Sequence, residues 1–417
     1  MSDTATDSSP VLNERVILAT LATVQFTHIM DFMIMMPLGS HLMRVFSITP
    51  AQFGGLVAAY GLAAAITGFL GGFVLDRFER KHALTLLYGG FSLATLACAL
   101  APNYHLLLAA RFAAGAFGGV AGSVVVAMIG DVVPPERRGR AMGLVMSAFP
   151  LASVLGVPTG LWLTDQFEWH APFFLLAGLS AVILVLGVRR LPHVSSHLTR
   201  VAPWTQMRAI LVHPIHRRGF ALSVVLVFAG ASVIPFMAPS MVANVGLSEA
   251  QLKFIYLFGG AATFFTSLQI GRWSDRFDKL HVLTWVTLVA AVTVIVVTNL
   301  PAVSLPTALV ATTLFFVSMS GRFAPTMAMI TNSVEARYRG GFMSVNSALQ
   351  QAAGALANIV AGLFLSADAA GHIYGYGRVG IISLICFGLT VVFAWRLRAA
   401  APHSARPGGL APAFVAE

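Results

Sequence analysis

Asp31 is the residue on which chemistry in this sequence would turn. Of the 16 acids in the chain it is the only one deep inside an apolar run, within Gln25-Phe26-Thr27-His28-Ile29-Met30-Asp31. A carboxylate is costly to hold in hydrocarbon, so an acid placed there implies a function or a fixed partner. Burial favours the neutral carboxyl and a nearby cation favours the carboxylate, so a site whose solvation alternates can load and release a proton. His28 lies three residues earlier, on the same face if the run is helical, where it either shares that proton or is simply hydrogen-bonded. Gln25 continues the stripe.

Two cations also fall inside apolar runs, Arg111 and Arg322. With His41 and His105 taken as the outer ends of their runs, Asp31 and Arg111 sit roughly 15 and 9 Å deep at the helical rise. The difference is within reach of a guanidinium, so Arg111 is the expected partner of Asp31, as a proton-coupled pair or as a purely structural one. Arg322 follows Gly321 and precedes Pro325, which cannot donate a backbone hydrogen bond and permits a kink. A charged group at such a place should face water or a substrate. Asn346, Gln350, Gly354 and Asn358 recur at i+4 and share one helix face, which either lines a cavity or bonds neighbouring helices.

The elements that carry these residues must be membrane helices. The chain has 417 residues, of which 57% are hydrophobic and 10% charged, with a mean hydropathy of +0.81, whereas a soluble domain has about 25% charged residues. About 20 apolar residues cross a ~30 Å hydrocarbon core. Twelve runs pass that test: 16–41, 52–75, 83–101, 105–130, 140–164 and 171–188, then 219–243, 250–273, 281–299, 304–332, 340–366 and 376–395. The expected fold class is all-α, twelve transmembrane helices in two pseudo-symmetric six-helix bundles. The division is a cytoplasmic tail 1–15, an N-terminal bundle 16–188, a central loop 189–218, a C-terminal bundle 219–395 and a disordered cytoplasmic tail 396–417.

The net charge of +10 reports topology rather than nucleic acid. From a cytoplasmic N-terminus, 21 basic residues fall in inner loops and tails, and only Arg44, Lys253 and Arg378 fall outside. Cys98 and Cys386 lie in separate runs and suggest neither a disulfide framework nor a metal site. Residues 1–14 are polar, with no basic stretch to mark a cleaved leader. The sequence contains no Walker loop, no H-E-x-x-H and no Gly-x-Ser-x-Gly, so an enzyme is not expected.

Two segments repeat. Gly72-Phe-Val-Leu-Asp76-Arg77-Phe-Glu-Arg80-Lys81 is echoed by Gly271-Arg-Trp-Ser-Asp275-Arg276-Phe-Asp-Lys279, and Glu136-Arg-Arg-Gly139 by Glu335-Ala-Arg-Tyr-Arg-Gly340. The acids of both pairs stand 199 residues apart, the mark of duplicated halves. Parallel six-helix repeats around a midplane site are a transporter design.

The G-x-x-x-D-R-x-x-R-K loop and its weaker copy resemble the signature of the major facilitator superfamily, with Glu79 and Asp278 where that family usually has Gly. Arg111-x-x-x-Gly115 resembles the fourth-helix motif, and Gly156-Val-Pro158-Thr-Gly160 a variant of the fifth-helix motif associated with antiporters. The stretch from Gly321 to Gln351 is similar to bacterial arabinose-efflux-permease-like and multidrug-like exporters. The resemblance implies a proton-coupled exporter of a small organic or drug-like molecule, working by alternating access in the inner membrane of a bacterial-type cell, multi-pass with both termini cytoplasmic. In such a carrier the intramembrane residues read above would serve as follows: Asp31, His28 and Arg111 in proton coupling, and Arg111, Arg322, Asn346, Gln350 and Gln25 at the substrate. Gly72, Asp76, Arg77, Arg80, Lys81, Gly271, Asp275 and Arg276 would gate. Import or exchange of an organic anion clamped by Arg111 and Arg322 is the alternative. A proton gradient and no cofactor, a lipid bilayer, no nucleic acid and a functional monomer complete the expectation.

Overall fold

The computed structural model describes residues 14–74, 78–188, 191–192, 203–368 and 371–407. The first half comprises α1 (Glu14–Ile34), α2 (Gly39–Val45), α3 (Pro50–Val74), α4 (Arg80–Ala99), α5 (Tyr104–Val132), α6 (Pro135–Met146), α7 (Ala148–Leu151), a π turn (Ala152–Gly156), α8 (Val157–Gln166) and α9 (Ala171–Val188). The second comprises α10 (Pro203–Val212), α11 (Pro214–Ala231), α12 (Ile234–Ala243), α13 (Glu249–Arg276), α14 (Lys279–Thr298), α15 (Leu305–Gly321), α16 (Phe323–Asn332), α17 (Ala336–Phe364) and α18 (Tyr376–Ala400). Among the described residues, eleven helical runs are long and apolar enough to cross a membrane, and α9 adds a shorter apolar helix.

Several expected single spans are broken, each for a local reason. Span one stops at Ile34 before Pro37 and resumes as α2; span seven breaks at Ser232-Val233 ahead of Pro235. Span five contains the π turn immediately before Pro158, whose ring nitrogen cannot donate to the preceding turn. The expected central loop 189–218 is in part helical: α10 buries Met207 and Ile210, one turn apart, against the cluster that includes Phe342. The expected disordered tail is likewise corrected over its described part, because α18 runs to Ala400 and a 3-10 turn, Pro402–Ala405, packs on α16. Lys279 Nζ donates to the Arg406 carbonyl at 2.7 Å and ties that end down. The all-α expectation needs one amendment: β1 (Ser366–Ala367) and β2 (Ile373–Tyr374) pair antiparallel, and the Asn244 amide both donates to and accepts from the Ile373 backbone at 2.8 Å.

Packing separates the two ends of the molecule. Near the His41 end one apolar cluster joins the halves, with Leu42, Phe53, Leu56, Phe236, Met241 and Ile255 among its members. Near the Arg80 end there are two clusters, one confined to each half. The halves meet along α3 with α17, and along α13 with α8 and the π turn. The first of these contacts is backbone to backbone: a Cβ on Gly54 would stand 2.6 Å from the Asn358 carbonyl oxygen, and one on Gly362 3.0 Å from Ala51 Cα. Small residues let helices approach this closely where lipid offers no hydrophobic drive for association.

Ion pairs follow the same division. At the His41 end they cross between halves: Arg44 Nη2 to Glu249 Oε1 at 2.6 Å, His41 Nδ1 to Glu249 Oε2 at 3.3 Å, and Lys253 Nζ to Asp165 Oδ2 at 3.6 Å. At the Arg80 end, the pairs Arg80 with Asp131, Arg137 with Glu14 and Arg398 with Asp278, each at 3.0 Å, stay within one half.

Candidate functional site

A buried polar constellation in the apolar interior is built by four helices of the first half. Asp31 on α1 and Arg111 on α5 are both fully buried, and Arg111 Nη1 donates to Asp31 Oδ2 at 2.7 Å and to the Asp31 carbonyl at 3.3 Å. Thr95 on α4 donates to Asp31 Oδ1 at 3.4 Å. Tyr60 on α3 lays its ring 4.7 Å from the guanidinium carbon, a cation–π contact, and its hydroxyl is buried without a partner. A charge-assisted hydrogen bond at this distance is among the strong ones, and in a dry interior it is what makes the two charges tolerable.

Local sequence explains why these helices come together. One turn after Arg111, a Cβ on Gly115 would stand 2.1 Å from the Tyr60 carbonyl oxygen, so only glycine lets α3 lie against α5 here. The Arg-x-x-x-Gly spacing therefore places a long cation and a notch for its aromatic neighbour on one helix face. Met30 and Ile34, which flank Asp31 on α1, rest against Gly156 and Gly160: a Cβ would come within 3.0 Å of Met30 Sδ and 2.5 Å of Ile34 Cδ1. Gly156, Pro158 and Gly160 thus set the packing and bending of the fifth span beside α1.

The remaining expected residues divide. His28 shares no hydrogen bond with Asp31; its ring lies between Tyr60 and Phe91, 6.3 and 6.4 Å away by centroids. Gln25 is buried one turn further along, near Gly122 of α5, with its Oε1 unpartnered. In the second half, Gln350 reaches Ser223 on α11 at 3.5 Å and Met327 Sδ on α16 at 3.7 Å, so this part of the amide stripe lies at a helix interface. Asn346 is buried with its Oδ1 unpartnered. Arg322, fully buried between α15 and α16, is far along the chain from the Asp31 group and pairs with no acid among the described residues.

Of the loop residues, Asp76 and Arg77 lie outside the described residues, and Gly72 falls in the last turn of α3. Arg80 is buried and its Nε donates to Asp131 Oδ2 on α5 at 3.0 Å. Lys81 is half-buried, Gly271 lies in α13 with open space beside it, and Asp275 and Arg276 are exposed. In the second loop Asp278 does the bonding: it caps α14 through the Leu280 amide at 3.0 Å and holds Arg398 at 3.0 Å.

Sequence reasoning did not reach Tyr60, Thr95, Asp131 or the Glu249 group. Tyr60 carried a signal, since a tyrosine inside an apolar run brings a hydroxyl that needs a partner. Glu249 follows Ser248 in a Ser-x-x-Gln capping box, which marks a helix start but not its contact with the other half.

Comparison with known proteins agrees with this architecture. A family model described as Major Facilitator Superfamily matches the chain twice, at residues 21–218 and 219–415, in line with the 199-residue repeat. An uncharacterised MFS-type transporter, YceJ of Bacillus subtilis (strain 168), is 26% identical over 365 residues, covering 86% of this chain and 91% of its own length. A probable sugar efflux transporter of Helicobacter pylori (strain HPAG1) is 24% identical over 243 residues, 57% of this chain and 61% of that one. The crystal structure of a bacterial homolog to the human lysosomal transporter Spinster shares the fold, with a TM-score of 0.75 over 95% of this chain and 98% of its own at 15% identity. Matched in both halves by one family model and along most of its length by a relative of the same type, this multi-pass membrane chain belongs to the Major Facilitator Superfamily of transporters.

Proposed function

We propose that the protein is a proton-coupled exporter of a small organic molecule and works by alternating access. The observation that carries this reading is the buried pair of Asp31 and Arg111: the only acid deep within a span is held at 2.7 Å by a cation that is itself wholly buried. Such a pair has two stable arrangements. With the carboxylate ionised, Arg111 is engaged; with the carboxyl protonated, Arg111 is released to another acceptor, and the difference links proton loading to helix rearrangement.

In this reading twelve crossings form two six-helix bundles, a single chain makes the whole pathway, and the proton gradient of a bacterial-type inner membrane supplies the drive. The excess of basic residues in the loops at the Arg80 end supports a cytoplasmic location for that end and for both termini. The continuous apolar cluster and the bridging pairs at the His41 end support a conformation closed to the outside, with the cytoplasmic ends of the halves packed separately. The name of the Helicobacter relative, a probable sugar efflux transporter, agrees with export. The second reading, transport of an organic anion, is favoured by one observation, the unpaired guanidinium of Arg322.

The test needs no substrate. Infrared titration of the purified protein across the neutral range should show a carboxyl step in the wild type that is absent from Asp31→Asn. Coincident curves would remove the proton carrier and leave the pair a structural strut.

A further inference from the structure

The two halves treat their intramembrane arginines differently. Arg322 is fully buried, yet among the described residues its Nε and Nη1 have no acceptor, and its Nη2 donates only to the Met319 thioether at 2.9 Å. Sulfur is a weak acceptor, and a guanidinium does not shed its proton in a protein, so this cation is underprovided with partners. The ring of Phe387 covers one face at 4.4 Å from the central carbon, and α11 closes in at Gly230.

The repeat shows what is missing. At the 199-residue offset, Asp31 corresponds to Gly230, and each stands shortly before a break in its helix, after Ile34 in the first half and after Ala231 in the second. A Cβ built on Gly230 would stand 3.9 Å from Arg322 Nη2. Each half therefore brings a guanidinium to the equivalent point of its first helix, Arg111 from the outer part of α5 and Arg322 from the inner part of the tenth span. Only the first half supplies the carboxylate. The second half has a hydrogen atom there, and the chain has no other acid deep in a span to take its place.

We propose that Arg322 is the receptor for the transported substrate and that this substrate is a monovalent carboxylate, which supplies from outside the acid that Gly230 lacks. The proposal rests on the reading of the chain as a transporter. One guanidinium balances one negative charge, while Arg111 is already committed to Asp31, so a dianion would bring an unneutralised charge into the interior. The surroundings, Met319, Phe387 and Ile234, suit an apolar body behind the carboxylate. Arg322 stands at the junction of α15 and α16, where Pro325 leaves the Gly321 carbonyl without its usual donor, so the backbone at the site is already interrupted.

The experiment is thermal unfolding of the purified full-length protein with acetate, butyrate or benzoate, each against its neutral amide and against sodium chloride at equal ionic strength. A carboxylate should raise the unfolding temperature of the wild type by several degrees, and the matched amide and chloride should not. Arg322→Gln should lose that response while unfolding, without ligand, at or above the wild-type temperature, because an unpaired buried charge is gone. Gly230→Asp should also lose the response, its own carboxylate occupying the guanidinium, and it serves where Arg322→Gln fails to fold. The proposal is overturned if none of the three carboxylates shifts the wild type, if chloride alone gives the same shift, or if Arg322→Gln or Gly230→Asp responds as the wild type does. The Asp31 infrared step should persist in Arg322→Gln and the carboxylate response in Asp31→Asn, so failure of the proton reading and failure of this one are separate results.

Discussion

Asp31→Asn, Arg111→Gln and their combination should give strongly non-additive losses of stability. In the wild type both groups are fully buried and joined at 2.7 Å. Asp31→Asn leaves a guanidinium that cannot neutralise itself, facing a neutral amide, and breaking a buried pair from one side costs about 3–5 kcal/mol. Arg111→Gln leaves a carboxyl that can take a proton and keep the Thr95 hydrogen bond; its cost is that of an imperfectly satisfied polar group, about 1–3 kcal/mol. The double variant removes both charges and should be more stable than Asp31→Asn alone, with a coupling energy of about 2–3 kcal/mol. The assay is unfolding in detergent of the four proteins at one pH and salt. Losses that add within about 0.5 kcal/mol would mean that the charges are solvated independently. An Arg111→Gln variant less stable than Asp31→Asn would refute the asymmetry between a neutralisable acid and a permanent cation.

Three further outcomes follow from the packing and the ion pairs. Glu249→Gln removes the shared acceptor of Arg44 and His41 across the halves; with these groups partly exposed the loss is about 1 kcal/mol, a roughly five-fold shift toward a form in which the halves are parted at the His41 end. Spin-label distances between α2 and α13 should broaden accordingly, and an unchanged distribution would show that the apolar cluster alone closes that end. Gly115→Val should abolish folded protein, because its Cβ meets the Tyr60 backbone rather than a movable side chain, whereas Gly130→Ala, beside open space, should be silent in monodispersity on gel filtration. Tyr88→Phe removes the 2.7 Å hydrogen bond to Thr27, whose hydroxyl keeps its Val24 carbonyl, and should cost about 0.5–1.5 kcal/mol in thermal unfolding.

Much of this protein was legible in its residues, for reasons that are chiefly one-dimensional. A membrane removes water as a backbone partner, so each crossing must be a continuous apolar run, and runs can be counted. An acid or arginine inside such a run stands out without any knowledge of the fold; Asp31, Arg111 and Arg322 were found that way. Helix breaks were harder to place. Pro37, Pro158, Pro235 and Pro325 were visible, but whether proline kinks, widens or ends a helix depends on what neighbouring helices offer the freed carbonyls. The helical α10 and the docked Pro402–Ala405 turn were missed because short segments are stabilised by what they pack against, here Phe342 and α16.

The sequence by itself determined the membrane class, the doubled architecture and the three residues, Asp31, Arg111 and Arg322, whose charges lie within spans. Only the tertiary structure decided how those charges are answered. It gave Arg111 a carboxylate, a threonine-bonded one, and an aromatic face, and it turned His28 toward Tyr60 and Phe91 instead of Asp31. It left Arg322 beside a glycine, with no acid paired to it among the described residues. The reason is that a charge in hydrocarbon is recognisable from its own helix, whereas its counter-charge comes from another helix, and the distance between the two is set by where small residues such as Gly115 allow backbones to meet.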